Sequence, residues 1–356
     1  MLRHWNERAL PELLAAHDLA DVPEMDFQHD GWSGARLTRL ARGDDAFILK
    51  RTAWSKDWIA RATQDRDLRE GFVATGQLPL PPSIVAPYLG AAADGPSVAM
   101  LMPDLSATLI DWERPDGQPT MTSATLDRVL GAIVDLHHGP VPDAGSGPWP
   151  WCPLRERLTL LTRSAAVRLS ADGQAAGARF LAGWAAFDAL APRGARDLIE
   201  RLDLDPGALL DALADRPTAL LHGDLKVANV ALLDDGRTAL IDWQMVTVAP
   251  VAVDMGWFLV SNSSALGADP TDVLARYARL AAERVRNDGA GSRAAAVADD
   301  WEATRDLAMI VGLLLRGWRK GLDALDGTRL ASGTLAIDDL AWWCAAAVEA
   351  ADRRLA

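Results

Sequence analysis

Leu220 to Gln244 reads LLHGDLKVANVALLDDGRTALIDWQ, and five polar residues in it stand out: His222, Asp224, Lys226, Asn229 and Asp242. They lie between small and apolar runs that look like buried strands. A carboxylate or amide at the end of such a strand loses its hydration unless a ligand or ion replaces it. Mg²⁺ would replace it, because it takes one or two carboxylate or amide oxygens and completes its shell with substrate phosphates. Asn229 and Asp242 offer such a pair. Asp224 then remains to orient a hydroxyl and accept its proton. Each residue alone has a plainer reading: Asn229 as a cap, Asp242 as a turn residue, His222 as a core histidine. Together their types and spacing point to metal-assisted phosphoryl transfer.

The elements that hold these groups follow from the flanking pattern. NVALL and TALIDW enclose Asp234-Asp235-Gly236-Arg237, which predicts a two-stranded hairpin with Asp242 ending its second strand. Upstream, ARLTRLAR and AFILKRTA around Gly43-Asp44-Asp45 predict a second hairpin. QDRDLREGFVATGQL predicts a helix, with Leu68 and Phe72 four apart. SIVAPYLGAAADGPSVAMLMPDL gives two more strands around Ala93-Asp94-Gly95-Pro96. With a short amphipathic helix around LPELLAAHDLA, the first hundred or so residues read as a small sheet with one inserted helix. Past Pro103 the period turns helical: Leu126, Val129, Leu130, Ile133 and Val134 mark the first long helix. Helical patterns then continue to the C-terminus, interrupted only by the opening stretch.

Within the early sheet, Lys50 closes the apolar run FILK. A lysine at an inner strand position requires an anion. Glu70 and Asp67, on the predicted helix, are the carboxylates within reach. DGWSGARL carries only Gly31 and Gly34, so the backbone N–H groups and the Ser33 hydroxyl are offered to phosphate without a full glycine-rich fingerprint. An ordinary hairpin turn is the alternative.

His222-Gly223-Asp224 followed by Asn229 resembles the H-G-D-x-x-x-x-N loop of the aminoglycoside phosphotransferase and choline kinase branch of the protein-kinase-like superfamily. Ile241-Asp242-Trp243 resembles its I-D-W/F metal motif. The resemblance runs from about Asp26 to about Trp318. It implies an α+β, two-lobed protein-kinase-like fold. Residues 1–102 would form a small antiparallel-sheet N-lobe that binds nucleotide. Residues 103–356 would form a mainly helical C-lobe with the catalytic loop, the metal site and the acceptor site.

The implied activity is ATP-dependent transfer of the γ-phosphoryl group to a hydroxyl of a small molecule: an aminoglycoside-like antibiotic, an amino alcohol or a related metabolite. ATP and Mg²⁺ are the implied cofactors. Asp224 would be the catalytic residue, with Asn229 and Asp242 on the metal. Lys50 and Glu70 would position the phosphates. Pro103, through its carbonyl, and Leu105, through its N–H, would read adenine at the hinge. Lys226 departs from this branch and matches a lysine of protein serine/threonine kinases that faces the γ-phosphate. Asp254, in DMGWFL, would brace the catalytic loop. Two alternatives stand beside this reading. One is a non-catalytic nucleotide-binding protein, which the intact Lys50, Asp224, Asn229 and Asp242 disfavour. The other is a protein kinase, for which QMVTVAPVAVDMG leaves little room for a peptide-docking loop.

Composition bounds the partners. At 356 residues, 49% hydrophobic and 24% charged, the chain is globular and long enough for two lobes. Its formal net charge of −13 disfavours nucleic acid and anionic membranes. Cys152 and Cys344 are too few and too far apart for zinc and fit a reducing compartment. The charged N-terminus lacks a signal-peptide apolar core, and the longest apolar run, LAMIVGLLL, is too short to span a bilayer. A cytoplasmic location is expected; the oligomeric state stays open. The acceptor site is expected in the helical half. Asp299, Asp300 and Glu302 would suit a cationic acceptor, and Trp149, Trp151, Trp342 and Trp343 could form an aromatic wall.

Overall fold

A computed structural model describes residues 4–27, 31–112, 114, 116–142, 149–288, 295 and 301–355. Its first half is built on a five-stranded antiparallel sheet in the order β1-β2-β3-β6-β5. These strands are β1 (Met25–Asp26), β2 (Arg36–Arg42), β3 (Asp45–Ala53), β5 (Gly90–Asp94) and β6 (Ser97–Pro103). Both expected hairpins form. Arg42 pairs with Asp45 across Gly43-Asp44, and Asp94 pairs with Ser97 across Gly95-Pro96.

Strand alternation sorts the two faces of this sheet. Leu49 lies opposite Leu101, and both pack on Leu10 and Leu13 of α1 (Leu10–Ala15). Lys50 lies opposite Met100, so both project to the other face. That face is covered by α2 (Trp58–Ala62) and α3 (Arg69–Ala74). The single inserted helix expected there is thus two short ones. Gln64 and Leu68 turn the chain between them at φ +55° and +54°, and Asp65 then accepts the Arg69 N–H at the start of α3.

The second half is helical. Its helices are α4 (Ser123–His138), α5 (Leu154–Thr159), α6 (Arg163–Ala171), α7 (Ala175–Leu190), α8 (Arg193–Leu204), α9 (Gly207–Ala214), α10 (Ala252–Ser261), α11 (Pro270–Asp288), α12 (Trp301–Leu325) and α13 (Ala336–Arg354). The helix α12 runs through the centre, packed by α7, α10 and α13. Its residues from Leu307 to Leu315 are buried almost throughout, which accounts for the unbroken apolar run in the sequence. None of the described helices is long and apolar enough to cross a membrane.

Two small sheets interrupt the helices. The hairpin of β8 (Val230–Leu232) and β9 (Thr238–Leu240) forms as expected. It is extended by β4 (Ile84–Val85), which leaves the first half of the chain to pair parallel with β9. The strand β7 (Thr218–Leu221) pairs with β10 (Thr247–Pro250), four residues that the sequence pattern did not single out. The segment from Leu221 to Thr247 is therefore a closed loop: its two ends are paired with each other, and Asp242 within it reaches Lys50 of the five-stranded sheet.

Candidate active site

The ends of that loop are fixed by backbone chemistry. Gly223 holds φ +81°, and a Cβ there would lie 2.0 Å from the Met245 carbonyl oxygen, so only glycine fits. Asp254, on α10, accepts the N–H groups of His222 and Gly223 at 3.0 and 2.9 Å. It is the contact expected of a bracing aspartate, and His137 on α4 lies against the same carboxylate at 3.3 Å. His222 is fully buried. Its Nε2 meets the Ile241 carbonyl at 3.0 Å and its Nδ1 accepts the Asp224 N–H, so the ring ties the Asp224 loop to the segment that leaves β9. Burial lowers its pKa, which suits a neutral structural imidazole.

Asp224 is only 4% exposed. Its Oδ2 lies 2.8 Å from the Lys226 ammonium and 3.3 Å from Asn229 Nδ2, while its Oδ1 has no hydrogen-bonding partner among the described residues. Asn229 Nδ2 also donates to the Asp224 carbonyl at 2.9 Å. With its nitrogen used in this way, the Asn229 side-chain oxygen points elsewhere.

Lys50 forms the second centre. Its ammonium meets both oxygens of Glu70, at 2.9 and 2.7 Å, and Asp242 Oδ1 at 2.7 Å. Glu70, and not the exposed Asp67, is therefore the partner carboxylate. Burial acts to lower the Lys50 pKa, but Asp242 and Glu70 outweigh it and hold the ammonium well above its ordinary value. Burial likewise acts to raise Asp242, yet Lys50 and then Lys226 hold its carboxyl down at about 2. Asp242 sits at φ +64°, a left-handed conformation rare for a residue with a side chain. Tyr88 completes the group. Its hydroxyl donates to Glu70 Oε1 at 2.6 Å and accepts the Asp242 N–H at 3.2 Å. Arg69, beside Glu70, reaches Gln244 O at 2.9 Å and Pro150 O at 2.8 Å, so α3 is tied to the helical half through buried bonds.

Asp242 and Asn229 suit Mg²⁺ by donor type: one ionised carboxylate and one amide oxygen, both carried on the same hairpin. Among the described residues no cluster of three or more His, Cys, Asp or Glu could hold a metal unaided.

The remaining expected residues lie further out. The Ser33 carbonyl accepts the Trp58 N–H at 3.1 Å, and the Ser33 hydroxyl lies 3.4 Å from the Ala35 N–H. Gly34, at φ +98°, packs on the Lys56 carbonyl where a Cβ would be 2.5 Å away. The loop is thus pinned to the segment entering α2, and no hydrogen bond joins Ser33 to Lys50, Asp224 or Asp242. Pro103 pairs with Phe47 at the end of β6. The Leu105 carbonyl accepts the N–H groups of Thr108 and Leu109. Asp299 and Asp300 lie outside the described residues, while Glu302 is exposed on the first turn of α12. Trp149 is buried and stacked on Trp151, and Trp343 is fully buried beside the exposed Trp342. Neither pair touches Asp224.

Two groups escaped the sequence reading. Tyr88 stands in an irregular link between short strands, where its neighbours show no period. Arg157 is fully buried on α5, and its Nε donates to the Gly223 carbonyl at 2.7 Å. Its only signal was a charge in LRERLT, which looks like a solvated helix face.

A sheet lobe carrying an anion-paired lysine, joined to a helical lobe carrying an H-G-D loop and an I-D-W strand end, defines a kinase-like phosphotransferase. The chain belongs to the phosphotransferase enzyme family (APH), whose sequence model matches residues 29–295. No protein of curated function matches it. Solved structures that it resembles include an aminoglycoside-3'-phosphotransferase of type VIII, at 19% identity over 84% of this chain and 100% of that one, with a TM-score of 0.42. A macrolide 2'-phosphotransferase from Brachybacterium faecium shows 18% identity over 95% and 96%, with a TM-score of 0.41. A choline kinase from Streptococcus pneumoniae shows 10% identity over 88% and 97%, with a TM-score of 0.44. Likeness at this level does not bear on substrate; membership rests on the family match.

Proposed function

We propose that this phosphotransferase moves the γ-phosphoryl group of ATP to a hydroxyl of a small molecule, with Asp224 receiving that hydroxyl. The observation that carries the reading is the asymmetry of the Asp224 carboxylate. Lys226 and Asn229 hold one oxygen, and the other is buried without a partner. A buried acceptor atom of this kind is a poor structural choice and a good place for an incoming O–H. Asp224 turns the hydroxyl oxygen towards the phosphorus. The new O–P bond forms as the bond from the γ-phosphorus to the β–γ bridging oxygen breaks; the hydroxyl proton passes to Asp224 and ADP leaves.

The other roles are assigned by chemistry. Lys50 would exchange its contact with Asp242 for phosphate oxygens while Glu70 holds it in place. Asn229 and Asp242 would hold Mg²⁺, which when bound would neutralise phosphate charge. Lys226 would offer its charge to the transferring group. Residues 1–102 and 103–356 would act as the two lobes, with the Pro103 carbonyl and the Leu105 N–H on adenine and the Ser33 loop over the phosphates. Two buried free thiols, Cys152 and Cys344, support a reducing, cytoplasmic setting.

The test is nucleotide-dependent melting. Mg·ATP at about 100 times its Kd should stabilise the protein by about 2.7 kcal/mol. Asp242→Asn should lose most of the Mg²⁺-dependent part of that gain. A wild-type protein whose melting ignores Mg·ATP would refute the reading.

A further inference from the structure

Next to the Asp224 loop lies a group of buried donors that the mechanism above leaves unused. Arg157 donates Nε to the Gly223 carbonyl, but its Nη1 and Nη2 are buried without partners. Its guanidinium lies 4.6 Å over the Trp257 ring. The same ring has a second arginine 5.5 Å away, Arg316 of α12. Arg316 is further enclosed by Trp112 at 5.3 Å and Trp318 at 5.8 Å. Its Nε is buried and unpartnered, as are the indole N–H groups of Trp257 and Trp318. Among the described residues neither arginine meets a carboxylate.

Arg316 borders a cavity of about 100 Å³. The cavity adjoins the catalytic loop through Asn262, whose side chain binds the Leu225 carbonyl and the Val227 N–H and whose neighbours Ser261 and Ser263 line the cavity. Among the described residues four arginines line it, Arg114, Arg316, Arg319 and Arg329, against one carboxylate, Asp323. Three of these are occupied: Arg114 by Asp116, Arg319 by Asp323, and Arg329 by the Gly333 carbonyl. Among the described residues Arg316 alone of the four has neither a hydrogen bond nor an ion pair, and only tryptophan rings lie against its guanidinium. In a chain of net charge −13 this is a local reversal of sign. Arg316 is itself half-buried, with its Nε fully so, and a cation and unpaired N–H donors in such a place share one remedy, an anion. Burial, and then Arg319, lowers the Arg316 pKa to about 10, while Asp323 and then Asp224 oppose the shift.

We propose that the acceptor carries an anionic group, a carboxylate or a phosphate, that docks on Arg316 between the tryptophans while its hydroxyl meets Asp224. This rests on the phosphotransferase reading and deepens it. It replaces the cationic acceptor that an acidic patch would have implied. A polyamine acceptor such as an aminoglycoside would meet Arg316 and Arg157 with like charge, a juxtaposition that disfavours binding.

The test uses the full chain with Mg·ADP bound, so that nucleotide binding is established first. Tryptophan emission then follows titration with matched pairs: glycerate and glycerol, 4-hydroxybutyrate and butane-1,4-diol, glucose 6-phosphate and glucose. At least one acid should give a saturable change, with a Kd of about 10 mM or tighter, and its uncharged partner none. That acid should also stimulate ADP release from Mg·ATP. Arg316→Gln should raise the acid's KM at least about tenfold, with KM for Mg·ATP held within about twofold; Arg316→Lys should recover part of the loss. The proposal is overturned if no acid binds a protein that binds Mg·ADP. It is overturned equally if an amino alcohol or kanamycin is the better acceptor, or if Arg316→Gln leaves the acid's affinity unchanged. A rise in KM for Mg·ATP alone would assign Arg316 to nucleotide phosphate instead, against the proposal. Failure to bind Mg·ADP would bring down the phosphotransferase reading itself, and this inference with it.

Discussion

Tyr88→Phe is the sharpest probe of the Lys50 centre, because it removes one oxygen and keeps the ring. The hydroxyl gives Glu70 a 2.6 Å hydrogen bond and receives the Asp242 N–H at 3.2 Å. A hydrogen bond to a charged group contributes about 1.5–3 kcal/mol. Glu70 keeps both contacts to Lys50, so the loss should fall near the middle of that range, about 2 kcal/mol. For 356 residues the unfolding entropy is about 0.75 kcal/mol/K, so Tm should drop by about 3 °C. The effect on function should be larger than this suggests. Asp242 holds a left-handed backbone at φ +64°, a conformation that persists only when its surroundings enforce it. Without its N–H tether the carboxylate is less well placed for a metal, and kcat/KM for Mg·ATP should fall about tenfold, or about 1.4 kcal/mol. Calorimetry and steady-state ADP release with Mg·ATP varied would measure both. A Tm within about 1 °C of wild type, with kcat/KM within about twofold, would refute the view that Tyr88 positions Asp242.

Three further outcomes are expected. Lys50→Met should destabilise the protein by about 3–5 kcal/mol, because it strands Glu70 in a buried site, and adding Glu70→Gln should recover most of the loss in urea titrations; no recovery would show that the pair is not the unit. Lys226→Ala should lower kcat roughly 10²-fold with KM for ATP little changed, whereas a kcat within about a factor of two would leave its 2.8 Å contact with Asp224 as a solvent-side ion pair only. Lys320→Met should cost about 3–5 kcal/mol, since Lys320 and Asp339 form a buried 2.6 Å pair, and Asp339→Leu in that background should restore stability; a single-variant loss under about 1 kcal/mol would show that the pair is idle.

What the sequence revealed and what it withheld follow from distance along the chain. Asp224, Asn229 and Asp242 were legible because one loop, closed by β7 and β10, carries all three, so their spacing is itself the geometry. Lys50 was legible because its strand is otherwise apolar, and Glu70 because a helix of fixed period follows. Tyr88 was not. It enters the site only because β4 crosses over to pair with β9, and a two-residue strand leaves no periodic trace. Of the two short helices behind Lys50, α2 went unread and the expected helix began too early, at Gln64, because the turn before α3 relies on positive φ at Gln64 and Leu68, residues that do not advertise it as glycine would. Arg157 and Arg316 raise a harder problem. In sequence each is a charge on a helix, and charges on helices are usually solvated. Arg316 lies on the central helix α12, where Trp318 of the same helix and Trp112 and Trp257 from distant segments close on it. No local pattern encodes that enclosure, because two of the three indoles come from elsewhere in the chain. The acidic residues near the start of α12 were easy to read as the sign of the acceptor site. On the inference drawn from Arg316, the residue that would set the sign lies deeper in the same helix, where a cation is costly unless an anion comes to meet it.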